Sequence, residues 1–193
     1  MGWMHAATVA VAVGSAIAGV AWQGRPDPAP LLAAQRKALA HFERLDGEWR
    51  GTAWTLLSDG KRHELTQTER VGPMLDGTLR VIEGRGYEAD GTVSFNAFAV
   101  LAFDAETKRL SMRSFANGRS GDFPVTPTED GFSWEIPAGP GVMRYTAVVE
   151  GDSWHEVGDF VAPGRPPVRS FEMTLARLRD CSWPAGGAVA PTD

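Results

Sequence analysis

The chain has 193 residues, 43% hydrophobic content and a formal net charge of −5 at pH 7, which is ordinary for one globular domain. The acidic balance argues against a nucleic-acid partner, because proteins that bind phosphate backbones cluster Lys and Arg, and here these residues are scattered. The single cysteine, Cys181, excludes an intramolecular disulfide, so packing alone must stabilise the fold.

Residues 1–21 have the composition of a secretory signal peptide. An uncharged, Ala- and Val-rich run extends from Ala6 to Ala21, and small residues suited to signal peptidase precede two cleavage sites, after Ala18 and after Ala21. An uncleaved anchor is the alternative, but a spanning helix needs about 20 apolar residues and this run is shorter. We therefore expect a periplasmic or secreted protein of the bacterial envelope, without a stable transmembrane anchor once the signal is cleaved.

Residues 22–46 are predicted to form a linker and one amphipathic helix. The Pro-rich stretch 27–30 leads into residues 31–45, where apolar side chains recur at helical spacing and charged side chains occupy the other faces. The turn pair Asp46-Gly47 ends this helix.

Residues 47–180 change to short runs rich in Val, Thr, Phe, Trp and Leu, separated by regularly spaced turn pairs. Nine such turns delimit about ten antiparallel strands in succession. A meander of this length has two exposed edges unless it closes, so we predict an all-β, up-and-down barrel, followed by a disordered tail at 181–193. The turn pairs are Asp59-Gly60, Asp76-Gly77, Asp90-Gly91, Asp104-Ala105, Asn117-Gly118, Asp130-Gly131, Pro140-Gly141, Gly151-Asp152 and Pro163-Gly164.

Several strands carry polar side chains on a face that is otherwise apolar. Period-two alternation assigns these faces, provided that no bulge inverts them. A buried carboxylate is costly unless it is paired, so these residues are the polar anchors of a ligand pocket, an internal Glu-Arg network, or residues of the barrel rim. The candidates are Gln67 and Glu69 on the second strand, Glu83 and Arg85 on the third, and Glu156 on the ninth.

The segment Gly47-Glu48-Trp49-Arg50-Gly51 has the Gly-x-Trp-x-Gly form and resembles the first strand of the calycin, or lipocalin-like, barrels. In that superfamily an arginine of the last strand packs over this tryptophan and closes the barrel base. The resemblance implies this role for Arg177, which alternation places on the inner face of the last strand.

The stretch 71–84 further resembles a bacterial lipocalin-like family known only as domain of unknown function number 1579. Both resemblances together cover roughly residues 42–178. They imply the fold more than the activity, because one fold hosts many functions.

Ten-stranded relatives of such barrels include the fatty-acid-binding proteins and the haem-binding nitrobindins. Nitrobindins ligate haem through a histidine on a late strand, whereas no histidine follows His155 here, so haem is disfavoured and we expect no cofactor. No paired Cys or His spacing indicates a metal site either.

No catalytic motif stands out, and no catalytic residue is predicted. The leading hypothesis is a barrel that encloses a small apolar or amphipathic ligand. One alternative is an envelope interaction module with a solid barrel. The other is an enzyme in which Glu69 and Glu83, brought together by a hairpin, act as acid and base.

Overall fold

The computed structural model describes residues 27–184, which form a closed ten-stranded antiparallel barrel preceded by a helical segment. Helix α1 spans Ala29–Leu39 and continues as a 3-10 helix over Ala40–Leu45. The predicted signal peptide and tail residues 185–193 lie outside the described residues. The strands are β1 (Gly47–Leu56), β2 (Arg62–Met74), β3 (Leu79–Tyr87), β4 (Val93–Asp104), β5 (Arg109–Ala116), β6 (Arg119–Pro127), β7 (Gly131–Ala138), β8 (Gly141–Glu150), β9 (Ser153–Val161) and β10 (Val168–Arg179).

Each strand pairs with its neighbours in sequence, and β1 closes the barrel by pairing with β10. The predicted up-and-down barrel is therefore confirmed. The nine predicted turn pairs lie at the nine connections, and glycines such as Gly60 (φ 81°) and Gly91 (φ 84°) supply the left-handed conformation that these turns need. Within residues 27–184, no helix is long and apolar enough to cross a membrane.

The 3-10 helix closes the end of the barrel at which β1 begins. Phe42 and Leu45 are fully buried in the same core as Trp49, and the Trp49 indole Nε1 donates a hydrogen bond to the Leu45 carbonyl at 2.8 Å. On the opposite wall, His41 Nε2 donates to the carbonyl of Gly131 in β7 at 2.7 Å. The helical segment is thus a plug that contacts several strands of the barrel base.

Arg177 joins the last strand, the first strand and this plug. Its guanidinium carbon lies 4.1 Å from the Trp49 ring centroid. Its Nη2 donates to the Arg44 carbonyl at 2.8 Å, its Nη1 donates to the Asp46 carbonyl, and its Nε donates to Asp152 Oδ1 at 3.0 Å. The carbonyls at the end of a helix have no intrahelical donor, so the guanidinium satisfies groups that would otherwise be unpaired.

We expect Arg177→Ala to lower the free energy of unfolding by about 3 kcal/mol, because it leaves partly buried carbonyls without a charged donor. The control is Arg179→Ala on the same strand, since the Arg179 side chain is 70% exposed and pairs with Glu48. That variant should lose less than about 1 kcal/mol. Urea denaturation measures both values, and equal losses would contradict the structural role of Arg177.

Among the neighbouring strands of the barrel wall, β6 and β7 have the shortest hydrogen-bonded pairing. Within the described chain these strands share three residue pairs, from Val125–Trp134 to Pro127–Phe132, whereas β7 and β8 share eight. Beyond Val125 the two strands diverge, and Pro124, which has no backbone N–H to donate, lies where the divergence begins. Opening the wall at this seam costs the fewest backbone hydrogen bonds.

Residues 181–184, which the sequence analysis assigned to the C-terminal tail, lie against the barrel wall. Residues 181–184 lie on the outside of β2, where the Arg70 guanidinium stacks 4.3 Å from the Trp183 ring centroid. The Trp183 carbonyl lies directly against Gly72, and a Cβ at this position would overlap it. The aromatic side chain of Trp183 and the absence of a side chain at Gly72 allow this segment to pack on β2.

Candidate functional site

The barrel encloses a cavity of about 440 Å³. Pockets that take small molecules have volumes of roughly 300–1,000 Å³, so this cavity has a sufficient size. The plug closes one end, and the opposite end is a mouth lined by Leu57, His63 and Ser94. Most of the wall is apolar, and its lining residues include Phe95, Met112, Phe132, Ile136, Phe171 and Met173.

The cavity exists because small residues occupy inward positions on adjacent strands. Ala97 and Ala99 of β4 and Ala116 of β5 leave space that larger side chains would fill. Gly84 of β3 has a more specific role, since a Cβ there would lie 2.6 Å from Glu69 Oε1. A larger residue at this position would displace the Glu69 carboxyl group from its place on the wall.

Glu69 lines the cavity on β2 as a carboxyl group in apolar surroundings. Gln67 Nε2, two residues earlier on the same face, donates a hydrogen bond to Glu69 Oε1 at 2.7 Å. Burial raises the pKa of Glu69 to about 8; the Gln67 hydrogen bond opposes this shift and the nearby Glu156 charge adds to it. Glu69 is therefore mostly protonated at neutral pH and can donate a hydrogen bond into the cavity.

Glu156 lines the cavity on β9. Trp134 Nε1 donates to Glu156 Oε1 at 3.2 Å. Burial raises the pKa of Glu156 to about 7, and the hydrogen bond from the Trp134 indole N–H opposes the shift. The Trp154 N–H is itself buried and has no hydrogen-bond partner among the described residues. Glu156 is thus near the midpoint of its titration at neutral pH.

An aromatic stack forms the wall beside Glu156. The rings of Trp134 and Tyr145 lie 4.4 Å apart at an interplanar angle of 14°, and Phe171 meets Tyr145 edge-on at 5.7 Å. Sequence analysis did not assign Tyr145 to the site. The sequence contains a signal that could have found it: Trp134 and Tyr145 are direct cross-strand partners in the β7–β8 hairpin, and such partners lie on the same face of the sheet.

The structure brings three of the five predicted interior residues together in one cavity, namely Gln67, Glu69 and Glu156. Glu83 and Arg85 do not line it, so the predicted inner face of the third strand is wrong. Glu83 lies on the outer face, where Arg70 and Arg85 pair with it, the latter at 2.8 Å.

The inner face of β3 carries Ile82 and Gly84, and Arg80 on this face reaches the base, where it pairs with Asp46 at 3.2 Å. Two features explain why period-two alternation assigned the wrong inner face to β3. Glycine has no side chain to reveal an inner face, and Val81 is buried although it faces outward. Val81 pairs with Gly72, which the ordered residues 183–184 cover from outside.

The same inversion separates Glu69 and Glu83, the two carboxylates of the alternative enzyme hypothesis. Glu69 and Glu83 lie on opposite faces of the barrel wall, with Gly84 opposite Glu69 and Arg70 opposite Glu83 in the strand pairing. An acid–base pair of Glu69 and Glu83 therefore has no shared cleft. The carboxyl group that faces the same cavity as Glu69 is that of Glu156.

His155 lies on the outer face of β9, where its Nε2 is 3.0 Å from Glu172 Oε1. Nothing in residues 27–184 brings three His, Cys, Asp or Glu side chains together as a metal site.

The solved structures that are similar to this chain include the two that follow. Rv2717c from M. tuberculosis superposes with a TM-score of 0.56 at 14% identity, covering 74% of this chain and 98% of its own. The S-type phycobiliprotein lyase CPES from Guillardia theta superposes with a TM-score of 0.51 at 10% identity, covering 81% of this chain and 100% of its own. The fold is a calycin-like barrel.

Identities this low establish the fold alone. Neither a family model nor a curated protein sequence matches the chain. The resemblance of residues 71–84 to the domain of unknown function therefore stays a prediction.

The two interior carboxyls make stability depend on pH. The folded protein holds their protons to pH values of about 7 and 8, whereas the unfolded chain releases them near the model value of 4.5. The folded state binds more protons in this window, so the free energy of unfolding should fall as pH rises from about 5 to about 8.

Glu69→Gln should flatten this slope by up to about 1.4 kcal/mol per pH unit, because it removes one of the three carboxyl groups with raised pKa values, Asp46, Glu69 and Glu156. The exposed Glu64→Gln on the same strand should keep the wild-type slope. Urea denaturation at a series of pH values measures both, and an unchanged slope in Glu69→Gln would show that Glu69 does not retain its proton.

Proposed function

We propose that this protein is an exported, lipocalin-like barrel that binds a small apolar or amphipathic molecule inside its cavity. The observation that carries the proposal is the cavity of about 440 Å³, whose mostly apolar wall contains a few converging polar groups. An alternative hypothesis, a solid barrel that acts through its outer surface, predicts no such cavity.

The wall supplies both affinity and orientation. Each methylene group that a ligand buries against it contributes about 0.8 kcal/mol. The Glu69 carboxyl and the Gln67 amide provide fixed donor and acceptor groups on one side, and Glu156 provides a second polar point on another strand. A ligand with an apolar body and one polar end matches this distribution.

The cavity assignment can be tested with Nile red, a neutral dye that fluoresces in apolar surroundings. Ala97→Trp places a large side chain in the cavity, because Ala97 lines it, and should weaken dye binding about tenfold or more by occluding the site. Ala176→Trp adds the same side chain on the exposed outer face of β10 and should bind the dye like the wild type.

Thermal unfolding of both variants must show a folded barrel for the comparison to hold. Equal dye binding by the two folded variants would place the dye outside the cavity and contradict the proposal.

Export rests on residues 1–21 and has its own test. Expression of the full chain in a bacterium, followed by intact mass analysis of the periplasmic fraction, should give a mature protein that begins at Gly19 or Trp22. Recovery of the uncleaved chain from the cytoplasm alone would contradict export and leave the cavity assignment untouched.

A further inference from the structure

The cavity contains two carboxyl groups without a basic partner. Glu69 and Glu156 line it, and no lysine or arginine of residues 27–184 does. On the outer wall, by contrast, carboxylates have basic partners: Glu83 pairs with Arg70, and Asp159 pairs with Arg169. A buried carboxylate is stable when a positive charge accompanies it, and inside the cavity this chain does not supply one.

The wall beside these carboxyls is suited to a positive charge. The rings of Trp134 and Tyr145 stack on each other in the wall, and the N–H edge of Trp134 meets the Glu156 carboxyl group. Aromatic faces attract cations through the ring quadrupole, and the attraction grows when water is excluded.

A third observation concerns the Trp154 indole. Trp154 is 2% exposed and lines the cavity, and its N–H has no hydrogen-bond partner among the described residues. A carboxylate has about four acceptor sites, so an ionised Glu156 can accept from the Trp134 and Trp154 indoles together and still face a ligand.

We propose that the ligand is an organic cation, a protonated amine with an apolar body, whose ammonium group is held by Glu156 and Glu69 beside the Trp134–Tyr145 stack. This inference rests on the proposed function and narrows it to one ligand class. A fatty-acid anion is disfavoured, because it would meet carboxyl groups where it needs a cation.

Binding of such a cation should release protons. The titratable groups on the cavity wall are Glu69 and His63 of β2, Tyr145 of β8 and Glu156 of β9. Tyr145 stays protonated because burial raises its pKa to about 12, and His63 lies at the mouth, 3.1 Å from Glu88. The protons therefore come from Glu69 and Glu156, and affinity for an amine should increase from about pH 6 to about pH 8.

Three probes of similar shape separate charge from apolar binding: phenylbutylamine, phenylbutanol and phenylbutanoate. Titration at neutral pH, followed by tryptophan fluorescence, should show the amine binding about tenfold more tightly than the alcohol, the effect expected of a hydrogen bond to a charged group. The carboxylate should bind most weakly. Calorimetry in two buffers of different ionisation enthalpy should detect proton release with the amine and none with the alcohol.

Glu156→Gln and Glu69→Gln should each reduce amine affinity by a larger factor than alcohol affinity, because the glutamine keeps hydrogen-bonding groups for the hydroxyl but cannot carry the negative charge that the ammonium group needs. Glu64→Gln, exposed on the same strand as Glu69, should behave like the wild type. The alcohol measurement shows that each variant is folded and keeps its cavity.

Each other result has a defined meaning. Equal binding of amine and alcohol, or tightest binding of the carboxylate, would overturn the cation inference and leave the cavity as a binding site. Rejection of all three probes by a protein that binds Nile red would do the same. Rejection of Nile red as well would overturn the proposed function and the inference with it.

Discussion

The barrel depends on the contact of one arginine with the end of the 3-10 helix. Arg177 stacks on Trp49, donates to the Arg44 and Asp46 carbonyls, and binds Asp152, so one guanidinium joins β10, β1, the plug and the β8–β9 turn. Arginine suits this position because its planar fork donates in several directions and keeps its charge at every relevant pH. With the base closed by this contact, the only open end of the described barrel is the opposite one, and the space behind it becomes a cavity with a defined mouth.

The distribution of charge follows from this closure. Arginines of the outer wall neutralise the outer carboxylates, and Arg80 at the base pairs with Asp46, which leaves Glu69 and Glu156 facing the cavity without a cation. Burial keeps Glu69 mostly protonated and Glu156 near its midpoint at neutral pH. A small change in the electrostatics of the cavity therefore changes the ionisation of both groups. A bound positive charge is such a change, and it would favour the ionised form of each carboxyl group.

Strand number and order were predictable because turn pairs such as Asp90-Gly91 act locally, and a succession of hairpins has few ways to close. The inner faces of β2, β9 and β10 were predictable because each carries enough large side chains to display the alternation, for example Phe171 and Met173. The face of β3 was not, since Gly84 has no side chain on the inner side and Val81 is buried on the outer side, where it pairs with Gly72. Residues 183–184 cover Gly72, and this contact joins segments about 110 residues apart, so local alternation does not contain it.

The amino-acid sequence by itself determined the class of fold, the number of strands, and three polar residues of the interior, Gln67, Glu69 and Glu156. These features depend on turn chemistry and period-two patterning, which act over a few residues. Only the tertiary structure decided that the barrel is hollow, that Glu83 and Arg85 lie outside, and that Trp134 and Tyr145 stack beside Glu156. These features depend on how side chains from distant strands share one space, and on which charges reach a partner when the wall closes.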